Sequence, residues 1–248
     1  MAETKEEKDD LLRELLSGEE GTAFDRMNQF MELMMRYNSA IREVRTKFEV
    51  LNEELSYKTS RNPIESITSR VKKPFSIVQK LRRMGKPLTV ASISESLNDV
   101  AGIRVVCSFI DDIYKVAEML AKQDDITVVA VKDYIRKPKP NGYRSYHMIV
   151  EIPVFFSEGK QIMRVEIQLR TVAMDFWASL EHQMKYKKES ADRPEIVAEL
   201  KSCAETIAAT DARMLGIRKR IENLEKESEE ENAKGQVLSS PVQRYVIE

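Results

Sequence analysis

Between Met163 and Arg170 the chain alternates almost without error: Met163, Val165, Ile167 and Leu169 on one side, Arg164, Glu166, Gln168 and Arg170 on the other. A two-residue period puts those sets on opposite faces of a strand, so this stretch demands a sheet with one apolar and one charged face. Taken alone it describes an ordinary half-exposed antiparallel strand. The charged face matters because Glu166 puts on it a carboxylate that can bind a cation or accept a proton.

Three further stretches read as strands: Val100–Phe109, Ile126–Ile135 and Ser145–Phe156, each β-branched or apolar. Helices separate and flank them. Phe24, Met27, Phe30, Met31, Met34, Tyr37, Ile41, Val44, Phe48, Leu51 and Leu55 recur at three- and four-residue steps, which predicts a long amphipathic helix over 22–57. Pro74 at a first helical turn introduces a helix over Phe75–Met84, and shorter helical patterns cover Val90–Leu97 and Ile110–Lys122. Another helix begins at Thr171, and Glu195–Glu230 reads as one long helix. The expected fold is α+β, with a mixed, mostly antiparallel central sheet of about five strands flanked by helices and long helices at both ends. Residues 1–21 form a charged arm, 22–230 a single domain, and 231–248 a disordered tail. A short sheet leaves the stripes of the two long helices unburied, which points to subunit contacts and a homo-oligomer.

Lys and Arg number 40 against 41 Asp and Glu, so nothing global marks a nucleic-acid binder; what counts is where the charges lie. From Ile67 to Ser94 there are seven cations and no acid. On the helix after Pro74, Ser76, Lys80 and Arg83 fall on one face by i, i+4, i+7 spacing, with Arg70 and Lys72 just upstream. A line of cations beside a helix N-terminus suits polyphosphate. Arg104 is the only charge inside the strand that Asp99 introduces, and a lone arginine there must meet a carboxylate or a phosphate. Cys107 and Cys203 have neither disulfide nor metal-ligand spacing and read as buried thiols in a reducing, cytoplasmic setting. No apolar run approaches the ~20 residues that span a bilayer.

The segment Asp133–His147 carries two prolines and an Asn-Gly between strands, hence a loop. Lys132, Arg136, Lys137, Lys139 and Arg144 surround Tyr143, with His147 close behind. Cations beside an aromatic ring on a stiff turn suit a phosphorylated base, the charges taking phosphates and the ring offering a stacking face. A nucleic-acid-binding module would use the same cations, but it leaves Asp99 and Glu166 unexplained, since carboxylates in a phosphate groove repel unless a metal intervenes.

Four stretches, Ser69–Lys80, Asn98–Arg104, Asp133–His147 and Val165–His182, together resemble the synthetase domain of the RelA/SpoT family, and the size resembles its small alarmone synthetases. The resemblance implies a nucleotidyltransferase-like sheet and transfer of the β,γ-diphosphate of ATP to the ribose 3′-hydroxyl of GDP or GTP, giving ppGpp or pppGpp and AMP in the stringent response. It implies that Arg70, Lys72, Ser76, Lys80 and Arg83 hold ATP, with Arg104 lending charge to the transferred group. Asp99 and Glu166 would bind Mg²⁺, Glu166 also accepting the hydroxyl proton. Tyr143 would stack on guanine, with Lys132, Lys139, Asn141, His147 and Gln168 placing the acceptor. Long relatives carry Arg-x-Lys-Asp before the tyrosine loop; Ala130-Val-Lys132-Asp133 keeps half of it and leaves both acceptors open. Neither histidine is followed by aspartate, so the His-Asp hydrolase signature is missing. Tetramers, with single-stranded RNA or the alarmone as regulator, are further properties of some small synthetases.

Overall fold

The computed structural model describes residues 22–59, 61–185 and 193–238. The expected arm over 1–21 lies outside them. Helix α1 (Ala23–Thr59) opens with a reciprocal cap: the Asp25 amide donates to Thr22 Oγ1 (3.2 Å) and the Thr22 amide to Asp25 Oδ2 (2.9 Å). Strand β1 (Ile64–Val71) leads to α2 (Pro74–Arg83), α3 (Val90–Ser96), β2 (Ala101–Cys107) and α4 (Ile110–Ala121). After β3 (Thr127–Asp133), the hairpin of β4 (Tyr146–Phe156) and β5 (Gly159–Thr171) is followed by α5 (Val172–Lys185) and α6 (Pro194–Leu238).

The five strands lie in the order β1-β2-β5-β4-β3, with β2 and β5 parallel and every other pair antiparallel. This is the mixed, mostly antiparallel sheet that the alternation required. Its apolar face carries Ile103, Val105, Met148, Val150, Val165, Ile167 and Leu169, all buried. Helix α1 crosses that face and buries Phe30, Tyr37, Ile41, Val44, Phe48, Leu51 and Leu55 in the same core.

Four expectations need correction. The α1 stripe is mostly covered by this chain's own sheet; only its first turns stay open, with Phe24, Met27, Met31 and Met35 exposed. The hairpin strand β5 is longer than 163–170 because Gly159, at φ +123°, makes the turn that lets pairing run to its end. Helix α6 continues to Leu238, so 231–238 is helical; the rest of the expected tail lies outside the described residues. Cys203 is exposed on α6, whereas Cys107 is buried, its thiol pushed up to about 12 by burial.

Candidate active site

Strand register builds the site on the sheet's polar face. One row across all five strands reads Thr68, Arg104, Gln168, His147, Lys132; the next reads Arg70, Gly102, Glu166, Ile149, Ala130. Directly paired residues share a face, so side chains scattered over a hundred positions become neighbours. Donor-side candidates occupy β1 and β2, acceptor-side candidates β4 and β3, and Glu166 stands on β5 between them.

Three cavities follow the same order. Lys72, Ser76, Gln79, Lys80, Arg82 and Arg83 line one of about 500 Å³ beside α2. Arg70, Lys72, Asp99, Arg104, Glu166 and Gln168 line a second of about 250 Å³. Lys132, Tyr134, Lys139, His147, Ile149 and Glu166 line a third of about 180 Å³. Lys72 belongs to the first two and Glu166 to the last two, so the cavities form one connected groove.

Asp99 is held at the groove's centre by two ammonium groups: Lys72 Nζ and Lys80 Nζ each lie 2.7 Å from its Oδ2. Burial opposes its charge, but the two lysines outweigh that and keep the carboxyl below its ordinary value. Its Oδ1 is buried with no hydrogen-bond partner. Glu166 accepts from Gln168 Nε2 (2.9 Å) and lies 3.7 Å from His147 Nδ1. That contact is not an ion pair. Burial, then the positive charges of Arg170, Lys139 and Lys132, depress the imidazole to about 3, so it is neutral near pH 7.

No group of three or more His, Cys, Asp or Glu side chains among the described residues is arranged to hold a metal. Two carboxylates bordering one cavity, one with an unsatisfied buried oxygen, instead fit a hard cation that completes its shell with water and substrate phosphate, the habit of Mg²⁺. A structural zinc site would need more ligands.

Beside the third cavity, Gly142 (φ +89°) turns the chain against α6. The ring of Tyr143 stands edge-on to Tyr134 and His147, with its hydroxyl 2.9 Å from His147 Nε2. Lys139 Nζ lies over both Tyr134 (4.8 Å) and Tyr143 (4.9 Å), inside this cluster of rings. Asn141 is a turn former: its Oδ1 accepts from the Tyr143 amide (3.2 Å) and its Nδ2 donates to Glu181 Oε1 (3.0 Å). Asp133 does similar work, accepting from the Ile135 and Arg136 amides.

Of the residues singled out from sequence, Arg70, Lys72, Asp99, Arg104, Glu166 and Gln168 meet in one cavity; Lys132, Lys139 and His147 meet in the next; Ser76, Lys80 and Arg83 lie along α2. Asn141 and Tyr143 are not among the lining of the third cavity, though Tyr143 touches His147 and Lys139, which are. Arg104 finds the carboxylate its burial demands in Asp175, 3.4 Å away. Sequence reasoning missed Asp175, Tyr134 and Glu181. Asp175 was signalled only by its position one turn into the helix that follows Arg170.

The model of a region found in RelA and SpoT proteins matches residues 69–191. The Bacillus subtilis GTP pyrophosphokinase YwaC is 43% identical over 196 residues, covering 79% of this chain and 93% of that protein. The crystal structure of small alarmone synthetase 1 from the same organism, bound to its product pppGpp, is 37% identical with a TM-score of 0.72 over 78% of this chain and 98% of that one. The same enzyme bound to AMPCPP gives 36% identity and a TM-score of 0.67, covering 79% and 99%.

Proposed function

This chain belongs to the RelA/SpoT family and is a small alarmone synthetase, a GTP pyrophosphokinase, and from that premise we propose how its groove performs the transfer. The donor is ATP and the acceptor GDP or GTP. The neighbour bound to AMPCPP supports the first, the neighbour bound to pppGpp the second. The observation that carries the mechanism is that Glu166 borders both the donor and the acceptor cavity.

Arg70 and Arg83, which make no ion pair among the described residues, grip the triphosphate together with Ser76. Lys72 and Lys80 move part of their interaction from Asp99 to phosphate oxygens when the donor enters. Asp99 and Glu166 would hold Mg²⁺, which would supply positive charge to offset that of the phosphates. Tyr143 supports guanine once the Lys139 ammonium swings off its face, and Lys132 with Lys139 takes the acceptor phosphates. Glu166 draws the proton from the ribose 3′-hydroxyl. The 3′-oxygen then bonds the β-phosphorus, the bond from that phosphorus to the α,β-bridging oxygen breaks, and AMP leaves with that oxygen. Arg104 spreads the charge that develops on the moving group. Such transfer depends on positioning and electrostatics, which is what this groove supplies.

We extend the reading to a role in the stringent response, to action in the cytoplasm, and to synthesis without hydrolysis, because neither histidine has the aspartate a hydrolase site would need. Among the described residues no helix is long and apolar enough to cross a membrane. Residues 22–230 act as one synthetase domain. The exposed Phe24, Met27 and Met31 on α1 and Met214, Ile221 and Leu224 on α6 support a homo-oligomer, which we place at four copies; a monomer mass by light scattering at micromolar concentration would refute it. For the reaction, purified protein is incubated with ATP labelled at the γ-phosphate, Mg²⁺ and either GDP or GTP. Label is expected in ppGpp or pppGpp with stoichiometric AMP; label released only as inorganic phosphate would overturn the reading.

A further inference from the structure

Asp175 lines none of the three cavities, yet it touches Arg104, which lines one of them, and Arg170, which reaches Tyr143. Its Oδ1 accepts from Arg170 NH1 at 2.9 Å and lies 3.4 Å from Arg104 NH1. Arg170 is itself buried, with 4% of its surface exposed, and it distributes what Asp175 fixes. Its NH2 donates to the Tyr143 hydroxyl (2.8 Å) and to Gln168 Oε1 (3.2 Å), and its guanidinium lies 5.2 Å from the centre of the Tyr143 ring. Gln168 passes the contact on, donating from Nε2 to Glu166. One carboxylate therefore stands behind Arg104, Gln168 and Glu166, which line the donor cavity, and behind Tyr143 beside the acceptor cavity.

The local fold makes that arrangement rigid. Glu166, Gln168 and Arg170 succeed one another along one face of β5 at two-residue steps. Strand β5 ends at Thr171, whose hydroxyl accepts from the Met174 amide (3.2 Å) and donates to the buried Asp211 carboxylate on α6 (2.6 Å). The strand thus turns at once into α5, and the first turn of that helix brings Asp175 back over Arg170. A carboxylate near a helix N-terminus is favoured there. Arg104 and Arg170 repel one another across this spot, and burial, followed by the charge of Arg170, lowers the proton affinity of Arg104. Asp175 is the anion set between them.

We propose that Asp175 is a positioning residue for the transfer, holding Arg104 and the Arg170–Gln168–Glu166 and Arg170–Tyr143 chains in register so that donor and acceptor meet in line. The inference rests on the pyrophosphoryl-transfer reading. It predicts a kinetic signature that a purely structural carboxylate would not give, because loss of folded protein lowers turnover per mole without altering substrate affinity.

The test compares wild type, Asp175→Asn, Tyr143→Phe and the double variant under saturating Mg²⁺, with melting temperature recorded for each. Wild-type product formation is the control: its absence would sink the transfer reading, whereas the variants bear on Asp175 alone. Asp175→Asn is expected to raise KM for the guanine nucleotide about tenfold, the loss of one charged hydrogen bond. It should raise KM for ATP by a smaller factor, through the longer contact to Arg104, and also lower kcat. In the Tyr143→Phe background the effect on the acceptor KM should shrink, because the chain to the ring is already cut. Asp175→Glu restores the charge and should bring the acceptor KM back to within about threefold of wild type. Unchanged KM values in Asp175→Asn, equal effects in both backgrounds, or a Glu variant as impaired as Asn would each overturn the proposal. If Asp175→Asn does not fold, the Glu variant decides alone, through its two KM values.

Discussion

Replacing Gly142 with alanine should damage the acceptor side in two separable ways. At φ +89° an L side chain costs roughly 1–2 kcal/mol. A Cβ built there would stand 2.5 Å from the Ala204 Cβ and 3.2 Å from the Lys201 Cα on α6, so the turn or the helix must yield. Overpacking of that kind costs about 1–3 kcal/mol, for a total of about 2–5 kcal/mol. In a chain of this size that is a fall in Tm on the order of 5–15 °C. Because Tyr143 is the next residue, KM for the guanine nucleotide should rise while KM for ATP stays near wild type. The steric share can be isolated with Ala204→Gly, which removes the struck methyl at a helix-propensity cost of about 1 kcal/mol. In that background Gly142→Ala should cost less, the remainder being the backbone term. An equal penalty in both backgrounds would refute the packing argument, and an unchanged Tm and acceptor KM would refute both.

Two pH dependences follow from the same groove. The unfolded chain protonates His147 near 6.5 but the folded chain only at about 3, so between those values the unfolded state binds more protons and stability falls as pH falls. His147→Gln should flatten the urea-midpoint curve over that window; an unchanged slope would show that the ring is not held neutral. Asp99, also depressed, acts in the same sense at lower pH: its stabilisation is present above its ordinary 3.8 and is lost as pH drops through the lower folded value. Lys80→Met removes one of its two ammonium partners, so the acid limb of the unfolding curve should move to higher pH, and a limb that stays in place would contradict the pairing.

Periodicity made most of the fold legible, because helices and buried strands carry their period locally. Strand β1 was less visible: in Ile-Glu-Ser-Ile-Thr-Ser-Arg-Val most positions are exposed at the sheet edge, so no apolar alternation marks it. The parallel pairing of β2 with β5 is a relation between segments some sixty residues apart, and it is this pairing that sets Arg104 beside Gln168. Cationic candidates were found because charge segregation is written along the chain. For Asn141 the sequence showed a place in the loop but not its bonds to the Tyr143 amide and Glu181, because Glu181 lies forty residues away. Asp175 was hidden for the converse reason. Its meaning comes from two arginines on two different strands, which no single window of sequence contains.

Glu166→Gln is the most direct probe of the central claim, since it removes one negative charge at the border of the donor and acceptor cavities while keeping the side chain's size. Single-turnover conversion of ATP and GTP to pppGpp should fall by about 10²–10⁴, the loss typical of a general base, with Tm and nucleotide binding near wild type. A variant that binds both nucleotides and still makes pppGpp at close to the wild-type rate would contradict the account.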